Sequence, residues 1–243
     1  LDGTLTNNKK EMTEQTWRTL IDAQERGVKS VLASGRPTYG IAPIAEKLEL
    51  KKYGGYILSY NGGEITNWQT GELMYENVLD ADVLPYLYQC AKDNNFAIVT
   101  YKDKYVLTEH PDDEYVLKEA ILNVMETQKV DNFLDAIDFP VAKCLIVGEA
   151  TRLAELEKVM HEALKERMGV YRSEPYFLEL VPKGIDKAQS LAVLLEKIGA
   201  TKDEMIAVGD GFNDLSMIKF AGLGVAMANA QEVVRQSADY ITL

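Results

Sequence analysis

Apolar positions along the chain change period several times, and each change predicts an element. Met12-Thr13 lead into a run with Trp17, Leu20, Ile21 and Gln24 on one helical face, stopped by Gly27. Val28 to Ala33 reads as a short buried strand, Pro37 to Leu48 as a helix through Ile41, Ile44, Ala45 and Leu48, and Tyr56 to Ser59 as a second strand. Alternation of this kind predicts a parallel, doubly wound sheet. Residues 64–79 read as a hairpin around Gln69-Thr70-Gly71.

The texture changes over 81–182. A helix from Ala81 to Asp93 leads into the strand Phe96 to Tyr101, a polar turn Lys102-Asp103-Lys104, and Tyr105-Val106-Leu107. A helix from Asp112 to about Thr127, a strand from Ala142 to Val147, a helix from Thr151 to Met168 and a strand-like run from Val170 to Leu180 follow. Strands joined by tight turns predict an antiparallel α+β module. From Ile185 the alternating pattern resumes: a helix Lys187 to Ile198, a strand at 205–208, helices Leu215 to Phe220 and Ala230 to Ser237, a strand Leu223 to Met227 between them, and a strand end at Tyr240. The expected organisation is a discontinuous α/β domain, 1–80 with 183–243, interrupted by an α+β domain over 81–182.

Composition narrows the function. The chain has 243 residues, is 47% hydrophobic and carries a net charge of −12. That balance speaks against nucleic acid, whose backbone is met by stripes of Lys and Arg. No apolar run reaches spanning length, so no membrane partner is expected. Cys90 and Cys144 share no metal-type spacing, which fits buried thiols and a cytoplasmic setting.

The chemistry concentrates at strand ends. Gly209-Asp210-Gly211-Phe212-Asn213-Asp214 follows the apolar run Met205 to Val208, which places an acidic turn where ligands gather in open α/β sheets. Hard oxygen donors suit Mg²⁺, and Mg²⁺ suits a phosphate. Asp2-Gly3-Thr4 supplies a second acidic turn, Ser34-Gly35-Arg36 ends another strand, and Lys187 opens a helix. Taken singly, each has an ordinary reading: a turn, a helix cap, a solvated lysine.

In this order the four sites resemble motifs I to IV of the haloacid dehalogenase superfamily: Leu1 to Leu5, Ser34 to Pro37, Lys187, and Gly209 to Asp214. Asn61-Gly62-Gly63, Phe177-Leu178-Glu179 and Gly222 to Asn229 are similar to its Cof-type (IIB) subfamily. The resemblance implies a Rossmann-like core with an inserted C2B cap that closes over the site, and a Mg²⁺-dependent phosphatase of small phosphorylated metabolites, sugar phosphates leading. The family's nucleophile, an aspartate that becomes phosphorylated, would lie immediately before Leu1. Asp2 would be general acid and base, Lys187 would neutralise charge, and the Leu1 amide, Ser34, Gly35 and Asn213 would hold phosphate, Asn213 alternatively orienting a neighbour. Asp210 would ligate the metal with the main-chain carbonyl of Asp2; Asp214 would ligate through water or orient Lys187. Arg36 is a substrate contact or a structural ion pair, and Asn61 a leaving-group contact or a tight turn. Lys143, Arg172 and Glu179 are cap candidates for reading the substrate. The alternatives are a hexose phosphomutase, or an inert phospho-ligand module if the first aspartate is truly lacking.

Overall fold

Thr13 starts the first helix for a local reason: its hydroxyl accepts from the Thr16 amide at 3.2 Å, meeting a donor that a helix end leaves free. The computed structural model, which describes residues 1–7 and 9–243, places α1 at Glu14–Glu25. Gly27 (φ 94°) ends it in a backbone region that favours glycine.

The chain divides into two compact units, Leu1–Tyr75 with Asp186–Leu243, and Glu76–Ile185. The expected cuts lay a few residues away, after 80 and after 182. In the first unit α1 is followed by β1 (Val31–Ala33), α2 (Thr38–Lys47), α3 (Leu50–Tyr53), β2 (Tyr56–Ser59), β3 (Glu64–Asn67) and β4 (Leu73–Glu76). β1 pairs parallel with β2, and β2 pairs antiparallel with β3, so an antiparallel hairpin extends a parallel start. The first strand is shorter than the apolar run implied: Val28 is 55% exposed and takes no part in it. Its amide instead bonds Ala23 O, finishing the exit from α1.

The second unit comprises α4 (Leu84–Asp93), β5 (Ala97–Lys102), β6 (Tyr105–Thr108), α5 (Glu114–Leu122), β7 (Glu126–Lys129), β8 (Cys144–Val147), α6 (Ala150–Leu164), β9 (Met168–Glu174) and β10 (Phe177–Pro182). One sheet holds all six strands in the order β7-β6-β5-β8-β10-β9. Ile98, Cys144, Ile146, Leu178 and Leu180 pack one sheet face against Leu87, Leu153, Met160 and Phe133. Two expectations fail here. The helix reaching Thr127 stops at Leu122 and yields to β7, because Val124 turns left-handed (φ 55°). The run Val170 to Leu180 is two antiparallel strands that reverse at Pro175-Tyr176, since Pro disfavours a continuous ladder.

Back in the first unit lie α7 (Lys187–Ile198), β11 (Ile206–Gly209), α8 (Leu215–Phe220), β12 (Leu223–Ala226), α9 (Glu232–Arg235) and β13 (Tyr240–Ile241). β11, β12 and β13 form a parallel sheet. Leu191, Leu194, Met217, Ile218 and Val234 cover it, in one cluster with Tyr56, Leu58 and Ile65. The last helix is half the expected length. Among the described residues, no helix is long and apolar enough to cross a membrane.

Candidate active site

The site residues of the first unit are joined by a continuous set of contacts. Gly3 has φ 74°, and a Cβ built there would collide with the Asp210 carboxylate. The turn after Asp2 therefore lies directly against the end of β11, and glycine is required both for conformation and for room. Thr4 Oγ1 donates to Asp210 Oδ1, and Asn229 Nδ2 donates to Gly3 O at 2.9 Å.

Lys187 begins α7 behind its cap, Asp186, whose side chain accepts from the Gln189 amide. Its ammonium meets Asp214 Oδ1 at 2.5 Å, with the two side chains 3% and 7% exposed. Asp214 Oδ2 accepts from the amides of Asp210 and Gly211 at 3.0 and 3.1 Å. Both oxygens of Asp214 are thereby engaged, and the turn folds back on itself. Burial would push the Asp214 carboxyl up; the charge and hydrogen bond of Lys187, with the two amides, outweigh it and hold it below the ordinary value.

Asp2 is held from two sides. Arg36 grips it in a fork, Nη2 to Oδ1 at 2.8 Å and Nε to Oδ2 at 3.1 Å, and Lys10 Nζ reaches Oδ1 at 2.8 Å. Burial raises the Asp2 carboxyl, but the Lys10 hydrogen bond and the Arg36 charge leave it lowered overall. As held here Asp2 is ionised, the form of a base. Of the two readings of Arg36, the geometry supplies the ion pair.

Ser34 closes β1 and is buried, with its amide on Leu58 O and its hydroxyl accepting from the Arg36 amide at 3.2 Å. Asn61 sits in a turn where Tyr60 and Asn61 both have positive φ (51° and 56°). Its amide donates to Ser34 O at 2.8 Å, and its side-chain oxygen accepts from Asn213 Nδ2 at 2.9 Å. A Cβ on Gly35 would strike the Asn61 side chain. Asn61 is thus a turn residue that also couples Ser34-Gly35 to the acidic turn.

The candidates in the second unit are tied up locally. Arg172 pairs with Glu157 at 2.7 Å and donates to Pro175 O, because β9 runs beside α6. Lys143 and Glu179 pair with each other at 3.1 Å and are buried. Thr4 and Asn229 lie in stretches that the sequence singles out but were given no role of their own, and Lys10 was missed. Thr4 carried a signal, a hydroxyl two positions beyond an acid in a tight turn; Lys10 carried none, being joined to the site by folding alone.

Among the described residues, no three His, Cys, Asp or Glu side chains gather into a metal cage. Mg²⁺ needs less: one or two carboxylates, with water and phosphate completing its shell. Asp210 lying against the Asp2-Gly3 turn supplies an oxygen-only donor set of that size, which fits Mg²⁺ and does not suit a softer metal.

A family model described as haloacid dehalogenase-like hydrolase matches residues 1–243. The chain belongs to that family. A haloacid dehalogenase-like hydrolase of Bacteroides thetaiotaomicron, known from its crystal structure, is 59% identical with a TM-score of 0.97, over 100% of this chain and 92% of that one. The crystal structure of TM0651 from Thermotoga maritima is similar at 30% identity and TM-score 0.87, covering 100% and 90%. The 5-amino-6-(5-phospho-D-ribitylamino)uracil phosphatase YcsE of Bacillus subtilis is 29% identical over 100% of this chain and 87% of its own length. This haloacid dehalogenase-like chain shares with its structural relatives a mixed α/β fold along its whole length.

Proposed function

We propose that this hydrolase is a Mg²⁺-dependent phosphatase of small phosphorylated metabolites, with sugar phosphates the leading class. The observation that carries the reading is the Asp2-Gly3-Thr4 turn lying against the Asp210 carboxylate, in an acidic turn closed by the buried Lys187–Asp214 pair. An aspartate directly before Leu1 would adjoin this cluster through the peptide bond to Leu1. It would attack phosphorus and hold the phosphoryl group as an acyl phosphate. Similarity to a phosphatase such as YcsE supports the reaction class.

Each residue has a task that follows from its surroundings. Lys187, desolvated and aimed by Asp214, neutralises charge on the transferring group, where a water-poor setting strengthens such contacts. Ser34 and the Gly35 amide hold a phosphoryl oxygen, together with the Leu1 amide. Asn213 orients Asn61 and through it the Ser34 loop. Asp2 takes the proton of the attacking water in the second half of the reaction, and must have carried one to the leaving oxygen in the first. Arg36 and Lys10 hold Asp2 ionised, so both contacts loosen when it acts as the acid. Asp210 and the main-chain carbonyl of Asp2 would hold Mg²⁺, with Asp214 contributing only through water. When bound, the cation supplies charge neutralisation at the phosphoryl oxygens.

Phosphate release from a panel of sugar phosphates, nucleotides and cofactor phosphates tests this, using a chain with Asp directly before Leu1 and one with Asn there. Release that needs Mg²⁺ and the Asp form is expected. Equal release from both forms would remove the acyl-phosphate route.

A further inference from the structure

The second unit buries a cluster of ionisable side chains that contact one another. Glu119 of α5, Lys143 just ahead of β8 and Glu179 of β10 are 5%, 4% and 8% exposed. Strand register explains part of the meeting. Glu179 faces Leu145, and Leu145 faces Val99, so all three share one sheet face; Lys143 and Tyr101, each two residues along, project from it too.

The donors are unequally shared. Glu179 takes the Lys143 ammonium at 3.1 Å and the Ser173 hydroxyl at 2.7 Å. Glu119 Oε1 takes two neutral donors, Tyr101 OH at 2.6 Å and Asn123 Nδ2 at 2.8 Å. The Lys143 ammonium lies 5.2 Å from the Tyr101 ring centroid, on the same line of contacts. Two carboxylates therefore bear on one cation. A buried carboxylate lacking its own cation is costly and takes up a proton instead.

We propose that Glu119 is a proton-dependent fastener, whose neutral carboxyl ties α5 to the sheet and whose ionisation places a second anion beside Glu179 and loosens the segment from α5 to β7. Burial, with Glu179 adding to it, pushes the Glu119 carboxyl up; Lys143, Tyr101 and Asn123 offset this only in part. Of the charges on the elements under α5, Glu126 of β7 pairs with Lys104 at the head of β6, and Lys129 is exposed. Lys118 on α5 itself is exposed and lies over the Tyr176 ring at 3.9 Å.

The sign follows from linkage. A folded carboxyl raised above its unfolded value, about 4.3, keeps a proton that the unfolded chain has released. Stability then falls as pH rises from that value until the folded group itself ionises. The test is thermal unfolding of the full chain from pH 5 to 8.5, for wild type, Glu119→Gln and Glu179→Gln. It is joined by amide exchange of residues 114–129, corrected for the intrinsic effect of pH. Glu119→Gln should melt near wild type at pH 5 and progressively above it as pH rises, by up to about 5 °C per pH unit. Glu179→Gln leaves one carboxylate per lysine and should flatten the same slope. Exchange of the 114–129 segment should rise with pH in wild type and not in Glu119→Gln. Melting differences that stay constant with pH in both variants would overturn the proposal, as would exchange that rises equally in all three.

Discussion

Lys187 and Asp214 meet at 2.5 Å in a pocket that leaves them 3% and 7% exposed, while two backbone amides hold the other Asp214 oxygen. The pair therefore serves the shape of the acidic turn as well as its charge. Lys187→Ala strips the carboxylate of its cation without returning it to water. Breaking a buried pair in this way costs about 3–5 kcal/mol. Urea unfolding of the variant should show that loss, and in the chain carrying Asp ahead of Leu1 phosphate release should be lost as well; an unchanged midpoint would mean that Asp214 does not depend on Lys187.

The same pair sets an acid limit. The Asp214 carboxyl is lower in the folded chain than when unfolded, so its contribution is complete above the unfolded value, about 3.9. It is lost as pH falls from there through the folded value. Asp214→Asn should therefore show a shallower fall in melting temperature between pH 6 and pH 3 than wild type. Parallel curves would count against it.

Gly3 faces the Asp210 carboxylate with no room for a side chain, in a backbone region costing other residues about 1–2 kcal/mol. Gly3→Ala must move Asp210. In the chain carrying Asp ahead of Leu1, the Mg²⁺ concentration for half-maximal phosphate release should rise ~10–100-fold, the range seen when support of a metal ligand is lost. No change would separate Asp210 from the metal.

Asp2→Asn keeps the size of the side chain and removes the proton carrier. In the chain carrying Asp ahead of Leu1, a rate loss of ~10²–10⁴-fold is expected in phosphate release from an aryl phosphate. Full activity in the variant would take Asp2 out of the reaction.

Where a residue declares its role to its neighbours, the sequence was readable. Thr13 and Gly27 bracket α1, and Lys187 to Ile198 is a helix with the expected ends. The places of Ser34 after β1, Asp210 after β11 and Lys187 at the start of α7 were legible because each sits at a change of hydrophobic period. What stayed hidden depends on distant partners or on backbone conformation without a composition signal. Val124 ends α5 although a valine carries no turn signal, and so β7 was read as helix. The Arg36 fork on Asp2 links positions 34 residues apart, and nothing nearby announces it. Lys143 and Glu179 are far apart in the chain, and only the sheet register shows that they also pair with each other.

The hydrogen bond between Asn61 and Asn213 spans 152 positions of chain. It makes the loop behind Ser34 and the acidic turn a matched set, so replacing either with the equivalent stretch of a distant homologue should fail unless its counterpart is exchanged with it. Redesign of this pocket has to proceed by pairs of loops.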